Sequence, residues 1–116
     1  NPRTFYGFSK LAGESCVGKK DLIIRTSFAK KGTWGPAKRQ LQNVFKGVYT
    51  SKDWVDIIAP LIVDSLGKTG IINIGTERKT LHSLAVQDYK DVCTISPSTV
   101  NLGYEYPKDS SMKLSI

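Results

Sequence analysis

Tyr6 and Lys10, in the stretch "YGFSKLAGE" (residues 6–14), are the residues whose types and spacing point to chemistry. Set at i and i+4, they share one face of a helix, one turn apart. A tyrosine can act as a general acid toward a carbonyl oxygen when its proton is available near neutral pH, whereas a free phenol titrates near 10. An ammonium ion within a few ångströms favours the phenolate. The same ammonium can also donate hydrogen bonds to a sugar hydroxyl. Gly7, Ser9, Ala12 and Gly13 are small and leave room for a ligand or a neighbouring helix. A surface helix carrying a chance tyrosine-lysine pair is the alternative.

The remaining residues of chemical interest are less patterned. Lysine and arginine come in pairs, Lys19-Lys20, Lys30-Lys31 and Lys38-Arg39, within a chain of net charge +7. A basic balance favours anionic partners. It fits a solvated surface or a phosphorylated small molecule. Nucleic acid gains no support, since zinc-finger spacing, RNP-like aromatic motifs and long basic runs are all absent. Cys16 and Cys93 are far apart and unpatterned, and read as reduced thiols without a metal site. His82 reads as a solvated or capping residue, and Asp53 and Asp56 as complements to a helix dipole. Trp54 reads as core. No run of about 18 apolar residues is present, so no membrane helix is expected. The polar start "NPRTFYG" has no apolar signal region, and a cytoplasmic location is expected.

These residues must be positioned by a short series of elements. Phe5, Phe8, Leu11, Ala12 and Cys16 recur at helical spacing, predicting a helix over 5–18 with Pro2 ahead of it and Gly18 at its end. "LIIRTSF" (22–28) reads as a buried strand, and "AKKGTWGPAKRQ" (29–40) as a loop. A short helix is expected over 41–48, with Leu41, Val44 and Phe45 on one face, and a short strand over 48–51. A helix follows over 53–66, in which Pro60 marks a kink or a late start. "IINIG" (71–75) reads as a second buried strand. A helix over 80–89 with Thr80 as N-cap and a third strand in "DVCTIS" complete the pattern. The alternation predicts a single α/β domain over 1–116: a partial Rossmann-like fold of short parallel strands with helices. Two or three short strands rarely hold a doubly wound sheet alone.

Tyr6, Gly7, Ser9, Lys10 and Glu14 together resemble the Tyr-Gly-x-Ser-Lys-x-x-x-Glu helix of the extended short-chain dehydrogenase/reductase family. "LIIRTSF" resembles the Ile-Arg-Thr strand that follows that helix, and "GIINIGTE" the Gly-x-x-Asn-x-Gly strand of sugar-nucleotide members. "PKDSSMKLS" resembles the closing Arg-Pro-x-x-Ser-x-Leu segment of the dTDP-4-dehydrorhamnose reductase-like group, with Tyr106 where the arginine stands. The resemblance spans the C-terminal, mostly substrate-binding, half of such an enzyme. It implies hydride transfer between NAD(P)H and a nucleotide sugar. Tyr6 would be the acid/base, and Lys10 would bind the nicotinamide ribose. Arg25 and the loop after it would line the substrate pocket. Lys30, Lys31, Lys38 and Arg39 would be contacts to the substrate diphosphate. Trp34 would either stack on a base or sugar, or pack in the core.

A full member opens with a strand, a glycine-rich turn and a helix around the dinucleotide pyrophosphate. No G-x-G-x-x-G occurs in this sequence, and the serine or threonine that assists the tyrosine lies upstream in the family. The chain begins at Asn1, which reads as a fragment or a processed product lacking the N-terminal dinucleotide-binding half. It is expected to be inactive alone and to bind no cofactor by itself. A second reading is a non-catalytic nucleotide-sugar-binding or protein-interaction module, as a homo-oligomer or with a partner over an uncovered face. A third is a truncated gene product with no present activity.

Overall fold

The computed structural model describes residues 4–99 and 107–112. Pro2, Tyr106 and the Lys-Leu-Ser end of the closing segment lie outside the described residues. The chain runs α1 (Phe5–Ser15), β1 (Leu22–Thr26), β2 (Phe28–Ala29), β3 (Asn43–Phe45), β4 (Tyr49–Thr50) and β5 (Asp53–Trp54). It continues through α2 (Val55–Ser65), β6 (Gly70–Ile74), β7 (Lys79–Thr80), α3 (Leu81–Ala85) and β8 (Cys93–Ile95), ending in a 3-10 turn at Pro97–Thr99. The expected α/β alternation is present, with three of four strand pairs parallel.

β1 and β6 form the longest ladder, in register from Leu22↔Gly70 to Thr26↔Ile74. Parallel strands need a crossover between them, and α2 belongs to it. Pro60 lies inside α2 rather than at its start, on an exposed face where the lost N–H donor is least costly. Asp56 stands in the first turn of α2 and complements the dipole. Asp53 is a correction: its carboxylate is buried and accepts from the Trp54 backbone N–H at 2.7 Å and from Thr76 Oγ1 at 2.6 Å, tying β5 to the loop after β6.

The short helix expected over 41–48 is not formed. β3 occupies its centre and pairs with β8 from Asn43↔Cys93 to Phe45↔Ile95, burying Val44. Val44 and Phe45 are β-prone residues, and a run this short gives no decisive period. Trp54 is core, as expected, but it sits on β5 rather than within a helix. α3 is shorter than expected, and Thr80 does cap it, its side chain accepting from the Ser83 N–H. His82, expected to be solvated or to cap, is half-buried, with Nε2 3.0 Å from the Val92 carbonyl oxygen.

The core gathers Ala29, Trp34, Val44, Trp54, Leu84, Ala85 and Val92. α1 contributes no buried residue: Phe5 is 89% exposed and Phe8 58%. The radius of gyration is 15.7 Å, against roughly 13 Å for a compact domain of this length. Its packed centre is therefore small, and single core residues weigh heavily. Leu84→Ala, at a fully buried position, is expected to cost about 2–5 kcal/mol, read as a lower urea midpoint with little change in slope.

Candidate functional site

α1 begins at Thr4, whose Oγ1 accepts from the Gly7 N–H at 3.0 Å. This cap was not anticipated from the sequence, although threonine is a favoured N-cap residue. The helix carries Tyr6 and Lys10 on one side, with Lys10 Nζ 5.5 Å from the Tyr6 ring centroid. The pair is thus brought together as its spacing required. Both side chains line a cleft of about 970 Å³, together with Glu14 of the same helix, Arg25 and Thr26 of β1, and Ser110 of the closing segment. The Thr26 hydroxyl is buried with no partner among the described residues, leaving a polar group at the cleft for a ligand to meet.

Glu14 and Arg25 lock this arrangement. Arg25 donates from Nε and Nη2 to the two Glu14 carboxylate oxygens, each at 2.7 Å. The fork holds the Glu14 carboxyl below its usual range and raises the guanidinium above its own. Two stretches that share the family resemblance therefore meet through one ion pair, which uses two of the five Arg25 N–H donors. The closing segment reaches the same cleft from β4. Ser110 N–H donates to the Tyr49 carbonyl at 2.9 Å, and Met112 N–H to Ser51 Oγ at 3.0 Å. Arg78 Nε holds Asp109 at 3.0 Å.

The other candidate residues gather around the 29–40 loop. Trp34 is buried and packs edge-to-face on Trp54, the ring centroids 6.0 Å apart. Lys31 Nζ lies 3.9 Å over the Trp54 ring and donates to the Gln87 carbonyl. Lys30 borders a cavity beside Phe28, while Lys38 and Arg39 stand exposed in the loop, apart from the Tyr6–Lys10 cleft. Asp88 organises this loop and was not singled out from the sequence. Its carboxylate accepts from the Gly32 N–H at 2.9 Å and the Trp34 N–H at 2.9 Å. Gly32 has φ +94°, a conformation that favours glycine and turns its N–H to the carboxylate. Among the described residues, no three His, Cys, Asp or Glu side chains cluster to hold a metal, and no helix is long and apolar enough to cross a membrane.

Burial alone would raise the Asp88 carboxyl. The N–H groups of Gly32 and Trp34, the Lys31 charge and the Thr33 N–H outweigh it and hold the group below its ordinary value. A depressed acid adds stability that is complete above the unfolded value and is lost as pH falls through the folded one. The loop is therefore expected to hold at neutral pH and to release below about pH 4. Amide shifts of Gly32 and Trp34 followed from pH 7 into acid check this, and Asp88→Asn should bring part of the change to neutral pH.

No family model and no curated protein matches the chain. Among solved structures, the chain is similar to a protein from Sulfolobus tokodaii described as a hypothetical dTDP-4-dehydrorhamnose reductase, with 27% identity and a TM-score of 0.69. The match covers 96% of this chain and 46% of that one, so the chain spans about half the length of the protein it resembles. In fold and in sequence the chain is similar to part of a dTDP-4-dehydrorhamnose reductase-like protein, with the mixed helices and short parallel strands of a partial Rossmann-like fold.

Proposed function

We propose that the chain is the substrate-binding part of an NAD(P)-dependent nucleotide-sugar reductase of the dTDP-4-dehydrorhamnose reductase type, acting in the cytoplasm. The observation that carries this reading is the convergence of Tyr6, Lys10, Thr26 and Ser110 on one cleft, each contributed by a stretch that resembles the family. The Tyr6–Lys10 face fits the nicotinamide-ribose end of NAD(P). A Cβ built on the neighbouring Gly13 meets nothing within 4 Å, so a ring can approach. The sequence holds no glycine-rich turn for the pyrophosphate, so the fit extends to that end of the cofactor alone. Bound there, the reduced nicotinamide would supply the hydride. Tyr6 would donate its phenolic proton to the keto oxygen of the substrate. Lys10 would hold the ribose and keep positive charge beside the phenol. Arg25 would act through Glu14, fixing α1 against β1.

The chain by itself is expected to oxidise no NAD(P)H in the presence of a dTDP-4-keto sugar, yet to bind a dTDP sugar in a calorimetric titration. Turnover by the isolated chain would overturn the need for the rest of the fold. Absence of nucleotide-sugar binding would overturn the substrate assignment. A second reading, a non-catalytic nucleotide-sugar-binding or interaction module, is favoured by the uncovered apolar residues Phe5, Phe8, Leu11 and Ile71. It expects association that grows with concentration in analytical ultracentrifugation, relieved by Phe8→Ser. A strictly monomeric chain counts against it.

A further inference from the structure

Away from the Tyr6–Lys10 cleft, two apolar cavities meet at Lys52. One, of about 300 Å³, is lined by Trp34, Leu41, Val44, Phe45, Leu81 and Ile95. The other, of about 400 Å³, is lined by Phe28, Ala29, Lys30, Thr33, Trp34 and Val55. Lys52, Trp34 and Leu41 border both.

Two donors here lack protein acceptors. The indole N–H of Trp34 is buried with no partner among the described residues. The Lys52 side chain is half-buried, and among the described residues its ammonium makes no ion pair or hydrogen bond. Asp53, its neighbour in sequence, is committed to Trp54 and Thr76. The backbone around Lys52 is fixed on both sides. Its N–H donates to Thr50 Oγ1 at 3.0 Å, and its carbonyl accepts from Lys79 Nζ at 2.7 Å. Burial pushes the ammonium below its ordinary range with no compensating partner. An uncompensated cation between apolar walls costs stability. It is compensated when an anion with apolar or planar arms enters.

We propose that Lys52 and the Trp34 indole N–H form the anion subsite of a nucleoside diphosphate ligand, with the diphosphate at Lys52 and the nucleoside in a flanking apolar cavity. This rests on the nucleotide-sugar reading above and deepens it. It moves the anion contact from the exposed loop cations Lys38 and Arg39 to a desolvated one. Both cavities lie in the size range of small-molecule sites, and their walls are mostly apolar with few polar groups.

The test is a calorimetric titration of the full chain with dTDP and with dTDP-glucose. Lys52→Met should weaken both on the order of 10- to 100-fold, the loss of a charge-assisted contact. Lys52→Arg should restore most of it, and Trp34→Phe, which keeps the ring and removes the N–H, should weaken binding by less. Lys90→Met, an exposed charge control, should bind as the parent does. Lys52→Met should also leave urea stability equal or higher, since it removes a half-buried, unpaired charge, so weaker binding would not report unfolding. If Lys52→Met binds dTDP as tightly as the parent, the Lys52 subsite is overturned and the nucleotide reading stands. If the parent chain binds neither dTDP nor dTDP-glucose, both are overturned.

Discussion

The parallel ladder between β1 and β6 is the constraint from which the rest of the structure follows. Parallel strands are stable when both faces are covered, because their crossovers lay helices against the sheet. α2 supplies cover by way of the crossover. α1 lies across β1 more loosely, held by the Glu14–Arg25 fork and separated from Ile23 and Ile71 by a gap. Ile71 is left 53% exposed. The same looseness opens the cleft that holds Tyr6 and Lys10. The uncovered ladder and the candidate site are two aspects of one geometry.

Elements with strong local signals were legible in the sequence. The period of α1, the apolar runs of β1 and β6, and the Thr80 cap all led to elements close to those observed, but the two strands expected to be buried are not: β1 has no buried residue and β6 buries Ile74 alone. Failures came where tertiary pairing overrides local preference. Residues 43–45 are too few to show a period, and their state is decided by β8, far along the chain. Asp53 carried the right local signal for a helix start, yet Thr76 draws its carboxylate inward. That partner is not visible from neighbouring residues.

The candidate site divides the same way. Tyr6 and Lys10 could be read because one helical turn fixes their separation. The meeting of Arg25 with Glu14 could not, since it depends on how α1 lies on β1. Exposed cations such as Lys38 and Arg39 attract notice in a sequence because they cluster. Lys52 does not, because its interest comes from the apolar walls that Trp34, Leu41 and Val55 bring around it. Asp88 was equally silent: a single aspartate after a short helix, whose importance lies in reaching back to Gly32 and Trp34.

Among the described residues every strand pair joins segments distant along the chain, Leu22 with Gly70 and Asn43 with Cys93 among them, and no hairpin links neighbours. Each loop must close before its pairing returns any energy, which makes such topologies slow to fold. During synthesis β1 waits for β6, and β3 waits for β8 near the end of the described residues. Each of these pairings therefore forms only after the whole segment between its two strands has been made.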